Sequence, residues 1–418
     1  MNHFVLIESN TTGSGAIIVE RLLARSDRVT FLTRTPGKYP FLVHKNPDLH
    51  VEEVDTNCFA TVIKAIQQIH EQQAVNAVLT TSEFYVPLAA QVAIALGLPG
   101  LDPVAAQTCR HKPSTRKKLS AAGLLTPDFY LVSSEQEAQY LAERMEYPCV
   151  VKPPSDSSSH GVKLVSNSAE FMEHYYNIHG WKENVRGQVL DGSVLVESLL
   201  EGPEYSVETV TLPNGQTHVI GVTDKHLSPE PYFVEMGHDF PSRASQAIQE
   251  ALIQTVLSAL KAVNYNFGPA HTEIRWTPRG AVVVEINPRL AGGMIPELVG
   301  YAKGLDLLQI WTDLVLGLPV DLTPTDEQNA SIRFLTATSA GELRAIRKID
   351  EATLIPSVRN ISIAAKPGKK VNPATDAYDR LGFVIGAEVD AARLSRHMQE
   401  ALETIELEIE PIECAIQV

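Results

Sequence analysis

Glu273, Glu285, Asn287 and Arg289 carry the densest chemistry in the chain. Glu285 and Asn287 are two apart in an apolar run, so a strand points both to one face. If Pro278-Arg279-Gly280 forms a three-residue loop, Thr277 pairs with Ala281, and Glu273 stands opposite Glu285. Cross-strand Cβ atoms are about 5 Å apart. Two carboxylates that close repel one another. With an amide oxygen beside them they suit a hard, oxygen-loving cation such as Mg²⁺, with Mn²⁺ as a substitute. The competing reading is a solvated, charged strand face. Ala281 to Val284 and Ile286 are apolar enough to bury the strand, where unpaired acids are costly, and this favours a metal. Arg289 follows, ahead of Gly292-Gly293. There it could clamp a carboxylate or stabilise an oxyanion, and a salt bridge to the same acids reads nearly as well.

A second constellation lies around Lys152. The strand Tyr147-Pro148-Cys149-Val150-Val151-Lys152 ends in a lysine and runs into Pro154-Ser155-Asp156-Ser157-Ser158-Ser159-His160-Gly161. Serine and glycine let backbone N–H groups approach an oligophosphate without bulk, and Lys152 adds a point charge. A flexible surface hairpin with a lysine at its base is the alternative.

These groups need a scaffold, and the pattern supplies one. Strands at His3–Ile7, Val29–Thr33 and Ala74–Thr80 alternate with helices to about Leu23, over Thr61–His70 and over Pro87–Leu96. That alternation argues for a parallel sheet covered by helices. Thr11-Thr12-Gly13-Ser14-Gly15 has Ile18 where a dinucleotide fingerprint needs its third glycine, so it reads as a tight strand-to-helix turn. Gly97-Leu98-Pro99-Gly100 marks a boundary. Beyond it come a basic helix (Cys109–Ala122), strands at Val162–Val165, Val194–Glu197 and Tyr205–Leu212, and the hairpin around 280. The last segment has strands at Ile332–Thr336, Asn360–Ala364 and Phe383–Val389, then a helix over Ala391–Glu403.

Composition sets outer limits. A chain of 418 residues is expected to hold two or three compact units. Hydrophobic residues at 44% and charged residues at 20% describe globular domains, and the net charge of −15 argues against nucleic acid or an anionic membrane as partner. No apolar stretch spans a bilayer. The N-terminus has no basic leader, and Cys58, Cys109, Cys149 and Cys414 are scattered, so the expectation is a cytoplasmic protein with reduced thiols.

In this order and spacing the segments resemble the ATP-grasp superfamily of carboxylate–amine ligases, and within it the bacterial L-amino-acid (dipeptide) ligases. The matching elements are Lys112, Val150-Val151-Lys152-Pro153 with its serine loop, and Val196-Glu197-Ser198-Leu199-Leu200-Glu201-Gly202-Pro203-Glu204. Phe233-Val234-Glu235-Met236-Gly237-His238, His271-Thr272-Glu273 and Glu285-Ile286-Asn287-Pro288-Arg289 complete the series.

The resemblance implies an α/β ATP-grasp fold. Residues 1–101 would form a parallel-sheet pre-ATP-grasp domain, 102–325 the ATP-grasp domain with a lid at about 123–200, and 326–418 a C-terminal α+β subdomain. It further implies that Lys112, Lys152, Ser157, Ser158, Ser159 and Gly161 meet the nucleotide. Glu197, Ser198 and Leu199 would form the adenine hinge, and Glu204 would accept from the ribose. Glu273, Glu285 and Asn287 would hold Mg²⁺, and Arg289, helped by His238, would steady the acyl phosphate and tetrahedral intermediate. Lys112 as a helix-start lysine, His238 as a core histidine and Glu204 as a solvated turn residue are the structural alternatives. Substrate-pocket candidates are Ser82, Glu83, Glu235, Gly292, Gly293 and Met294; glycine at 293 implies a roomy first subsite.

The implied reaction joins one amino acid's carboxylate to another's amine through an acyl phosphate, giving a dipeptide, ADP and phosphate. The alternatives are transfer of an amino acid to a carrier-protein thiol or a non-proteinogenic amine, or a nucleotide-binding scaffold without ligase activity. Partners would be small-molecule amino acids, and a homodimer is compatible with this reading.

Overall fold

The apolar run at the head of the chain is buried along its whole length as β1 (His3–Ile7). With β2 (Arg28–Thr33), β3 (Leu49–Glu53) and β4 (Ala77–Leu79) it forms a parallel sheet in the order β3-β2-β1-β4. Helices cover both faces of such a sheet, so its inner strands are continuously apolar. The edge strand β3 is half-exposed and has no apolar run, so the sequence pattern does not reveal it. The expected strand Ala74–Thr80 is therefore the fourth, shortened to three residues. Gly15 shows why the turn after β1 is tight: a Cβ there would lie 2.0 Å from the Asn10 carbonyl oxygen. The computed structural model describes residues 1–411 except Thr12, His44 and Lys45. Thr12 of that turn and Cys414 thus lie outside the described residues.

The basic helix expected over Cys109–Ala122 is two helices, Pro103–Arg110 and Lys112–Ala121, broken at His111. Pro113 lacks the N–H that would continue the first ladder, and its ring would strike the carbonyl four residues back. Next, β5 (Phe129–Val132), β6 (Cys149–Lys152), β7 (Lys163–Val165) and β8 (Val194–Ser198) form a small antiparallel sheet in the order β5-β8-β6-β7.

The larger sheet begins with β9 (Glu204–Thr211), β10 (Thr217–Leu227), β11 (Glu235–Phe240), β12 (Gly268–Thr277) and β13 (Gly280–Asn287). The last stretch supplies β14 (Asn329–Leu335), β15 (Gly341–Arg347), β16 (Val358–Ile363), β17 (Lys370–Val371), β18 (Gly382–Glu388) and β19 (Glu406–Glu410). Three of these extend the larger sheet to eight strands, ordered β13-β12-β9-β10-β11-β14-β18-β16; the others form a separate sheet, β17-β15-β19. Three of the strands after 326 thus continue the central sheet, and the other three lie outside it.

One core cluster joins Phe4 and Leu6 of β1 to Ile295, Leu298 and Trp311 of two later helices and to Ile332 of β14, which packs the N-terminal sheet against the central one. No helix among the described residues is long and apolar enough to cross a membrane. Cys58, Cys109 and Cys149 are free, and burial pushes the Cys109 and Cys149 thiols up to about 12, which leaves them inert at neutral pH.

Candidate active site

Glu273 does face Glu285, but not by the route the loop count assumed. Thr277 pairs with Gly280, so the turn is the two residues Pro278 and Arg279. That shorter turn would place Val284 opposite Glu273. A bulge at Val284 absorbs the difference and returns Glu285 to the position. The carbonyl of the bulged residue accepts a hydrogen bond from Arg116 Nη2 at 2.7 Å. Asn287 lies two residues on, opposite His271.

These side chains open into a cleft between the two antiparallel sheets, with about 1280 Å³ of empty space, open solvent included. Lys112, at the start of its helix, donates to Glu285 at 3.1 Å and to the Asp156 carbonyl at 3.2 Å, tying the serine loop to β13. Burial pushes the Glu285 carboxyl up; Lys112 opposes this, and Glu83 and Glu273 add to it. Crowded acid of this kind calls for a cation. Among the described residues no three His, Cys, Asp or Glu side chains form a metal cage. Two glutamates and one amide oxygen instead leave positions open for phosphate oxygens and water, the donor set Mg²⁺ commonly takes. The residues fit that ion.

Lys225, which lies outside every sequence motif, is the hub of the site. Its Nζ lies 2.8 Å from Glu204, 2.9 Å from Glu235 and 3.0 Å from Glu273. Burial works against its charge, but the three carboxylates outweigh it and hold the ammonium well above its usual value. Glu273 in turn is held down to about 2: burial opposes this, and Lys225 and His271 overcome it. His271 lies between Glu208 at 2.9 Å and Glu273 at 3.4 Å. Lys225 lies on the parity opposite to the apolar Ile220 and Val222, so the strand pattern did not mark it; for His271 the signal was the two-residue spacing from Glu273.

Several expected nucleotide ligands carry structural partners. Glu197 is buried against Arg116 at 2.8 Å and Lys152 at 2.5 Å. Burial opposes ionisation of Glu197, yet the two cations hold it down to about 2. Lys152 is itself lowered by burial, which its share of Glu197 does not offset. Arg116 is one helical turn from Lys112, so both reach the cleft side of their helix. Glu204 binds Lys225 with one oxygen and Arg275 with the other, at 2.9 Å.

The substrate candidates divide. Glu83, from the N-terminal unit, reaches the cleft and bonds Arg289 at 2.5 Å, Ser157 Oγ at 2.9 Å and Arg110. With the Asn287 amide turned to satisfy both partners, its nitrogen also donates to Glu83 at 2.9 Å. Burial resists ionisation of Glu83, and Arg110, Arg289 and Lys112 together hold its carboxyl well below the usual range. Arg289 is thus paired with Glu83, not with the acids of the hairpin. His238 is buried, both ring nitrogens lack a partner among the described residues, and burial pushes its pKa down to about 3, so it is neutral.

Gly293 has φ +58°, and a Cβ there would stand 2.6 Å from His238 Nε2, so the space beside the imidazole depends on the glycine. Ser198, Leu199, Ser158, Ser159, Glu235 and Gly292 also line the cleft. Gly161, Ser82 and Met294 do not. Ser82 is buried, Gly161 packs against Trp181, and Met294 lies over Gly13.

The sequence matches three family models in order: an ATP-grasp N-terminal domain over residues 28–100, an ATP-grasp domain over 145–297, and an L-amino acid ligase C-terminal domain over 333–410. It is 30% identical over 407 residues to the uncharacterized protein y4rH of Sinorhizobium fredii, covering 97% of this chain and 83% of the relative. The chain belongs to the ATP-grasp family. As a member it is an ATP-dependent carboxylate–amine ligase. It is also similar to the alanine–anticapsin ligase of Bacillus amyloliquefaciens, 23% identical over 335 residues, with 74% of this chain and 68% of that protein covered. The ATP-grasp fold is shared with the L-amino acid ligase of Bacillus licheniformis, with a TM-score of 0.83, 22% identity and coverage of 98% and 99%.

Proposed function

We propose that this ligase activates the carboxylate of one amino acid with ATP and joins it to the amine of a second, giving a dipeptide, ADP and phosphate. The observation that carries the reading is the Glu273–Glu285 pair, with Asn287 and Arg289, facing a cleft that Glu235 and a neutral His238 also line. Likeness to ligases that act on alanine and other L-amino acids supports the same substrate class.

Lys112, Lys152 and the Ser157–Ser159 backbone would bind the phosphates, Gly161 would give the loop its pivot, and Glu197 to Leu199 would flank the adenine. Both Glu204 oxygens are engaged by cations, but each keeps a lone pair for a ribose hydroxyl. Glu273, Glu285 and Asn287 would hold Mg²⁺, which neutralises charge on the transferred phosphoryl group.

The substrate carboxylate attacks the γ-phosphorus, and ADP leaves. Arg289 then stabilises the oxyanion formed when the amine attacks the acyl phosphate carbonyl, and phosphate departs. Glu235 balances the charge of the incoming ammonium. The ammonium releases one proton to solvent; the neutral amine then donates a hydrogen bond to the neutral His238, and the proton it loses on attack leaves on the phosphate. The serine loop keeps water from the acyl phosphate.

The test is phosphate release from MgATP over a panel of paired amino acids, with product masses. Release that needs two amino acids and yields a dipeptide mass is expected. Release with one amino acid and a carrier-bound thioester would overturn the dipeptide reading.

A further inference from the structure

A dipeptide ligase handles two carboxylates with different fates. One is phosphorylated beside Lys112 and Arg289. The other stays ionised through both steps and needs a fixed cation inside a closed site. Most cations of the cleft are committed: Lys225 to three carboxylates, Arg275 to Glu204 and the Leu200 carbonyl, and Lys152 to Glu197.

Arg380 differs. It reaches the cleft from just before β18 and stacks its guanidinium 3.7 Å from the centre of the Phe334 ring. Nη2 donates to the Glu235 carbonyl at 2.8 Å and to its carboxylate at 3.0 Å. Nε is buried with no partner among the described residues. The stack fixes the plane of the fork, so its unused donors point in a set direction. Beside it, Glu235 and the neutral His238 supply the groups an amine needs. An anion and a cation side by side complement a zwitterion.

Resting on the amino-acid ligase reading, we propose that Arg380 binds the free α-carboxylate of the amine-donating amino acid and so restricts that substrate to one with an unblocked acid. Arg289 serves the reacting carboxylate, and Arg380 serves the bystander.

The experiment compares each acceptor amino acid with its own carboxamide, in the full-length wild type and in Arg380→Met and Arg380→Lys. Wild type should prefer the free acid by about tenfold to a hundredfold in kcat/KM, the range of a hydrogen bond to a charged group. Arg380→Met should lose that preference through a raised KM for the acid, with KM for ATP and for the carboxylate-donating amino acid within about twofold of wild type. Arg380→Lys should restore part of it. The wild-type comparison needs no variant, so a misfolded variant does not shield the proposal. Equal use of acid and amide by wild type, a preference kept by Arg380→Met, or a raised KM for the other amino acid would each overturn it while dipeptide synthesis stands. No dipeptide from any pair would overturn the underlying reading with it.

Discussion

At the scale of single residues, the site is a set of buried charges whose ionisation is fixed by neighbours. Glu285 alone among the hairpin acids is pushed up, by burial and by the acids beside it, and this singles it out as the group most in need of a cation. Glu285→Gln keeps the shape and the contact with Lys112 but removes the charge, and kcat should fall by about a hundredfold or more with nucleotide affinity largely kept. Near-normal turnover would refute the metal assignment.

Glu197 makes a stability prediction. Its folded pKa, about 2, lies below the usual carboxylate value. Its contribution is therefore complete above about pH 4.3 and is lost as pH falls through about 2. In urea unfolding from about pH 5 downward, wild type should lose stability faster than Glu197→Gln. The variant starts about 3–5 kcal/mol less stable, because Arg116 and Lys152 lose their counter-charge in the interior. Parallel slopes would contradict this. The acids and Arg289 were legible as types at a spacing. Lys225, Arg116 and Arg380 were not, because each meets its partners only through sheet or helix neighbours far apart in sequence.

At the scale of elements, strands with long apolar runs were readable, and those with mixed faces were not. The hairpin is instructive: the three-residue loop was wrong and the bulge was unforeseen, and the two errors cancelled to leave Glu273 opposite Glu285. Sequence counting sees total residues between two positions, not how they divide between turn and bulge. The segment over 123–200 makes a prediction at this scale. Its Glu183–Val189 hairpin rests on the N-terminal unit: Asn57 donates to the Arg186 and Gly187 carbonyls at 3.1 and 2.9 Å, and Arg186 donates to the Ser9 carbonyl at 2.9 Å. Asn57→Ala removes two hydrogen bonds to the hairpin, of about 1 kcal/mol each, besides the one it accepts from Tyr85, and should speed tryptic cleavage after Arg186 about tenfold or more. Equal cleavage would show that the hairpin is held elsewhere.

At the scale of the whole molecule, a chain with net charge −15 is to bind ATP, itself a polyanion. The cleft reconciles the two by gathering Lys112, Lys152, Lys225, Arg289 and Arg380 in one place, each paired with at least one glutamate. Net charge therefore describes the outer surface and says little of the site. In the proposed reaction a substrate carboxylate is activated by direct phosphoryl transfer. This activation is tested most directly with a donor amino acid carrying ¹⁸O in both carboxylate oxygens, incubated with MgATP and an acceptor. One ¹⁸O in each phosphate released, with ADP as the nucleotide product, is the predicted result. Phosphate free of label, or AMP and pyrophosphate in place of ADP, would contradict it.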